Sequence, residues 1–156
     1  MTSLKRRVRS ERGAELIEFA LVCPVLLLIV LGIVDFGFLF QRMEVITNAA
    51  REGARIAVLP TYTNADVQTR VCNYLTSGGV PTTSCGAAGG NPTITITTPS
   101  IPIAGATPMS GHSVQVTYTH QYLFIGPIAS WFGGAFTNVP INGVAIMRDE
   151  VQAAGS

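Results

Sequence analysis

The spacing of apolar positions changes along this chain, and each spacing predicts a different element. From Phe19 to Val34 no charged residue interrupts the apolar run, which resumes after Asp35 through Phe36 to Phe40. About 22 helical residues rise roughly 33 Å, enough to cross a hydrocarbon core of about 30 Å. The pattern therefore predicts one transmembrane helix. Pro24 lies inside it and removes a backbone donor, which predicts a kink or a loosened turn. Past Phe40 the spacing becomes three-and-four: Met43, Ile46, Ala50, Gly53, Ala54 and Ala57 form an apolar stripe, with Glu44, Asn48, Arg51 and Arg55 on a separate polar face. The helix should thus run on into water, from about Ala14 to Leu59, until Pro60 stops it. Because the stripe is mostly Ala and Gly, another backbone can approach it closely. It can seat the chain's own C-terminal domain, a neighbouring helix, or both.

The remainder reads as a small mixed domain. Asn64 can cap a short helix with Asp66 in its first turn and Val67, Val71, Tyr74 and Leu75 on its apolar face, ended by Ser77-Gly78-Gly79. A glycine-rich loop covers 84–92. Strict alternation over Thr93–Thr97 and Ser113–Thr119 predicts two strands, and a less regular third fits Ile141–Met147. Pro99, Pro102, Gly105 and Pro108 make the intervening connection irregular. The apolar segment from Ile125 to Phe132 is too short to span a membrane. It is either a flap over the core or, with Trp131 and Phe132 exposed, a contact surface. The fold class expected is α+β: a long N-terminal transmembrane helix followed by a small head with a short helix and a few antiparallel strands.

Charge adds a direction. The net charge of +1 conceals a cluster of Lys5, Arg6, Arg7, Arg9 and Arg12 before the apolar run, while after Pro60 only Asp66, Arg70, Arg148, Asp149 and Glu150 are charged. The cluster reads as a cytoplasmic topology signal, giving a leader over 1–13, a helix over 14–59 with its membrane half at about 19–40, and an extracytoplasmic head over 61–156. No basic surface on a folded module points to nucleic acid. A cleaved signal peptide would carry a shorter apolar segment ending in a small-x-small site, and Gln41-Arg42-Met43-Glu44 offers none. On the head's side of the membrane disulfides persist, and Gly78-Gly79 and Pro81 let the chain fold back between Cys72 and Cys85. Bridging those two would stabilise the head by roughly 3 kcal/mol. Cys23 lies in the span as a small apolar residue.

Several of these features together resemble the TadE-like family of minor pilins, or pseudopilins, of bacterial tight-adherence (Flp-type) pilus systems. The matching pieces are Gly13-Ala14-Glu15-Leu16-Ile17-Glu18-Phe19-Ala20-Leu21-Val22, Pro24-Val25-Leu26-Leu27, Gly32-Ile33-Val34-Asp35-Phe36-Gly37 and Ala49-Ala50-Arg51-Glu52-Gly53-Ala54-Arg55. The resemblance implies cleavage between Gly13 and Ala14 by a prepilin peptidase, leaving the apolar helix on the mature protein. It also implies that Glu18, with Phe19 beside it, serves assembly by compensating the freed amine of a neighbouring subunit. The implied partners are that peptidase, other pilin-like subunits and the lipid bilayer. The implied place is the bacterial inner membrane, single-pass with the N-terminus cytoplasmic and the head outside. The implied role is to help initiate or support pilus formation, and so adhesion and biofilm growth, either from the membrane or within the filament.

Physical chemistry leaves alternatives at two of these residues. Glu18 is costly in lipid unless paired, yet it can also sit hydrated at the headgroups. Asp35, the third assembly candidate, either pairs with a basic residue of a partner helix or snorkels to interfacial water. Its distance of about 10 Å along the axis from Arg42 argues against a direct bond within the helix. No catalytic constellation stands out: His112 and His120 share one strand face but read as surface or turn residues, no metal cluster or cofactor motif appears, and the glycines lack a phosphate-loop lysine. The chain reads as an assembly protein and not an enzyme. The competing class is an unprocessed single-pass envelope protein whose head binds a ligand or partner.

Overall fold

In the computed structural model the described residues are 4–149 except 103, 106, 107, 132, 135 and 136, with side chains described from Gly13 onward. Helix α1 (Leu4–Ala57) is followed by α2 (Asn64–Ser77), β1 (Thr93–Thr97), β2 (Ser100–Ile101), β3 (Met109–Gln121), α3 (Ile125–Trp131) and β4 (Asn138–Arg148). The α+β expectation holds: a long apolar helix carries a head with short helices and antiparallel strands.

The long helix begins at Leu4, upstream of the expected Ala14, and passes through Gly13 and Pro24 without a break. Leu, Lys, Arg and Glu are good helix formers, and one internal glycine costs only about 1 kcal/mol, so the basic leader joins the helix. From Leu16 to Phe40 the large apolar side chains are mostly exposed. This half of α1 is long and apolar enough to cross a membrane, and it fits a membrane anchor.

One face of the upper half of α1 is sealed by the head, while Glu44, Arg51 and Arg55 stay exposed on the other. Ile46, Ala49, Ala50 and Ala54 are fully buried, with Ile56 and Ala57 nearly so. A Cβ on Gly53 would fall 2.6 Å from Val71 Cγ2 and 3.1 Å from Val114 Cγ1, so α2 and β3 close directly on the helix there. The stripe of small residues therefore seats the chain's own head. Met43, at the margin of the stripe, is the exception and stays 51% exposed.

Over that helix face lies an antiparallel sheet with β3 central, pairing β1 and β2 along one edge and β4 along the other. Register aligns Ile94, Val116 and Gly143 across the sheet, and likewise Ile96, Val114 and Ala145. Those positions face α1; the alternate rows, such as Thr95, Gln115 and Val144, face away. Gly143 is where β4 crosses α1, because a Cβ there would lie 2.8 Å from the Ile46 carbonyl oxygen. Beside the sheet, α2 buries Val67, Val71 and Leu75, while Tyr74 is 38% exposed and contributes little. Its cap is Thr63, one residue before the expected Asn64. The Thr63 hydroxyl accepts from the Asp66 N–H at 3.3 Å, and the Thr63 N–H donates to Asp66 Oδ2 at 2.9 Å. Cys72 of α2 is bridged to Cys85 of the following loop, with an S–S distance of 2.07 Å.

Candidate functional site

At the N-terminal end, the residues expected to serve processing and assembly are surface positions of α1. Gly13 is half-buried, and Ala14, Glu18 and Phe19 are exposed, Phe19 at 67%. All lie on continuous helix, and Glu18 follows Ala14 by about one turn.

A second cluster forms where the anchor meets the head. Asp35 is 1% exposed, although it lies within the apolar run. Its Oδ1 accepts from the Leu123 N–H at 3.0 Å, and its Oδ2 from the N–H groups of Phe124 at 2.9 Å and Ile125 at 2.7 Å. These donors precede the first internal bond of α3, from the Ile128 N–H to the Phe124 carbonyl at 3.3 Å. A helix start leaves such N–H groups without internal partners, and a carboxylate satisfies them well. Of the two roles left open for Asp35, the structure takes neither: the carboxylate is occupied within its own chain. The other end of α3 is closed by Gly133 at φ 74, with the Gly134 N–H donating to the Ala129 carbonyl at 2.8 Å.

Two turns above Asp35, Arg42 Nη1 stands 2.6 Å from His120 Nδ1 and 3.5 Å from the Tyr118 hydroxyl. A guanidinium can only donate, so Nδ1 accepts and the imidazole is neutral, with its proton on Nε2. Burial, then the positive Arg42, push the His120 pKa below its ordinary value, and Asp35 opposes them. The Nε2 atom is buried without a hydrogen-bond partner, and the ring meets that of Tyr122 edge-on with centroids 5.4 Å apart. His120 is 2% exposed, which corrects the expectation of a surface or turn histidine. The physical reason is strand parity: positions 114, 116, 118 and 120 of β3 all face the helix. A cleft of about 500 Å³ opens here, lined among others by Asp35, Phe38, Arg42, Asn91 and His120. Asn91 extends the sheet beside it: its amide donates to the Thr119 carbonyl and accepts from the Thr119 N–H, both at 3.0 Å.

Sequence reasoning missed this junction, although a signal was present. Asp35, Leu39, Arg42 and Ile46 stand at helical spacing, so the stripe that seats the head begins at Asp35. As chemistry, the cluster is a structural tie. Each polar group holds a strand or loop to the helix, and among the described residues no three His, Cys, Asp or Glu side chains gather to hold a metal.

A family model described as TadE-like protein matches residues 13–55. No curated protein and no solved structure matches the chain. The family match opens at Gly13, runs through Glu18, Asp35 and Arg42, and closes where the head is fully seated, before α2 and the sheet begin. Over residues 13–55, then, this chain is similar to TadE-like proteins.

Proposed function

We propose that this protein is a membrane-anchored minor pilin-like subunit of a tight-adherence pilus apparatus, trimmed by a prepilin peptidase and assembled through α1 with other pilin-like subunits. The observation that carries the reading is the TadE-like match, which opens at Gly13 and follows a helix with two different surfaces. Above Asp35 the stripe is covered by the head; below it the apolar side chains are open to lipid or to neighbouring helices.

Hydrolysis of the Gly13–Ala14 bond would release residues 1–13 and leave a free α-amine on Ala14. The bond lies in helix, so a turn must open before the peptidase can grip an extended backbone. Gly13 lowers that cost by about 1 kcal/mol relative to alanine. The basic cluster keeps the cut end in the cytoplasm under the positive-inside rule, with the head outside. Glu18, the fifth residue of the trimmed chain, then offers a carboxylate to a neighbour's amine, and the pair lowers the cost of both charges near lipid. Subunits joined in this way would support pili, adhesion and biofilm growth.

The deciding experiment is the N-terminal mass of protein extracted from membranes. Loss of residues 1–13 is expected; an intact leader would favour an unprocessed envelope protein. A Gly13→Leu variant should accumulate uncut, and its normal trimming would overturn the assigned site.

A further inference from the structure

Three hydrogen bonds set the height of the lowest part of the head. Asp35 holds the N–H groups of Leu123, Phe124 and Ile125 at 2.7–3.0 Å, so the start of α3 lies level with residue 35 of α1. That level is inside the apolar run, about five residues or 7–8 Å below its end at Phe40. A bilayer that α1 fills from Phe19 to Phe40 therefore cannot be cleared by α3.

What α3 presents at that level is apolar. No charged residue occurs from Tyr122 to Asn138. Trp131, the chain's one tryptophan, is 91% exposed, and Leu123 is 62% exposed. Phe36 and Phe38 on the adjoining part of α1 are exposed as well, and the Phe36 ring stands edge-on to that of Tyr122 at 6.2 Å. The apolar surface is thus continuous from the anchor into the head. Tryptophan and tyrosine partition to the headgroup level, and interfacial segments sink about 5–10 Å into that boundary, the same depth that Asp35 imposes.

We infer that Leu123–Trp131 is an interfacial foot, docked into the headgroup region of the leaflet on the head's side, with Asp35 as the positioning residue that sets its depth. Anchor and foot give the head two points of attachment and so fix its tilt against the membrane. The inference rests on reading α1 as a membrane anchor.

Because Trp131 is the sole tryptophan, the emission of the full chain in phosphatidylcholine–phosphatidylglycerol vesicles reports on the foot alone. The expected result is blue-shifted emission, quenched more by lipids brominated near the headgroups than by lipids brominated at the chain ends. Cys23, the free cysteine of the span, checks the anchor independently through its protection from a water-soluble maleimide. Protected Cys23 with water-like Trp131 emission overturns the foot and leaves the anchor standing. Freely labelled Cys23 overturns the anchor, and the foot with it. Blue-shifted emission indifferent to brominated lipid means that another protein surface covers Trp131, which also overturns the proposal. Asp35→Asn places an amide NH2 group against backbone donors and should weaken the headgroup-level quenching while Cys23 stays protected. An unchanged quenching profile in that variant removes Asp35 from its assigned part.

Discussion

Asp35 shows why a charge within an apolar run need not be solvated or shared with a partner. A carboxylate at such a position is costly alone. Here it gains three charge-assisted bonds from donors that the start of α3 leaves open. His120 is the complementary case, a titratable ring kept neutral by burial and by the Arg42 charge. Its folded pKa is lowered, so just below the ordinary histidine value the unfolded chain binds a proton that the folded chain refuses. Stability then rises with pH. The contribution is complete above about pH 6.5 and drains as the pH falls towards the lower folded value. Arg42 and Asp35 face the ring from α1, Tyr118 from its own strand and Tyr122 from the turn before α3. Melting of the full chain in detergent should therefore drop between about pH 7.5 and about pH 5, and His120→Gln should flatten that slope while lowering the melting point at the upper pH. An equal slope in the variant would assign the pH sensitivity to another group. Gly143 gives a purely steric prediction at this scale. An added methyl group meets the Ile46 backbone at 2.8 Å, so Gly143→Ala should cost about 1–3 kcal/mol in melts of the full chain. Gly37→Ala, which meets nothing within 4 Å and lies inside α1, should cost nothing and should instead gain up to about 1 kcal/mol of helix propensity.

Elements were legible wherever a single period governed their burial. The sheet has one buried face, so strict alternation revealed Thr93–Thr97 and the centre of β3, and the three-and-four stripe revealed the soluble half of α1. The two-residue β2 and the extensions of β3 and β4 by one to four residues at their ends leave too few positions for a period to register. Helix α3 was legible only as apolar sequence, because its start depends on a carboxylate about 90 residues upstream. The stripe was read from Met43 upward for a similar reason: polar Arg42 and Asp35 continue it, but their partners are distant in sequence and so invisible to spacing. The Cys72–Cys85 bridge, in contrast, followed from compartment and loop composition, and its Cα atoms stand 5.9 Å apart. Its removal offers a test at the scale of the element. Reduction, or paired Cys72→Ser and Cys85→Ser changes, should lower head stability by about 2–4 kcal/mol. Comparison of melts with and without reductant measures this. Equal melting points would mean that packing of Val71 and Leu75 alone holds α2 in place.

At the scale of the whole molecule, the two halves of α1 divide the labour. The apolar stripe of the upper half and the junction are covered by the chain's own head, so under the proposed function apolar contacts between subunits through this helix would fall to its open lower half. That division sharpens the expectation for Glu18, an exposed carboxylate far from the junction that Asp35 and Arg42 tie together. Glu18→Ala should insert and be trimmed normally, because the helix becomes more apolar and Gly13 is untouched. The fold of the head should be unaffected, with Cys72–Cys85 formed and the pH response of the His120 junction retained. What should fall is association, because the amine freed at Ala14 of a neighbour would face lipid without a counter-charge. Breaking such a pair costs about 3–5 kcal/mol when it is fully buried. Even about 1.4 kcal/mol shifts a reversible assembly tenfold. The measurement compares crosslinking to pilin-like subunits, and pilus formation, at matched levels of trimmed protein. Parental crosslinking and parental pili in the Glu18→Ala strain would make Glu18 a hydrated headgroup-level residue and move the search for the assembly contact to the open apolar face between Phe19 and Val34.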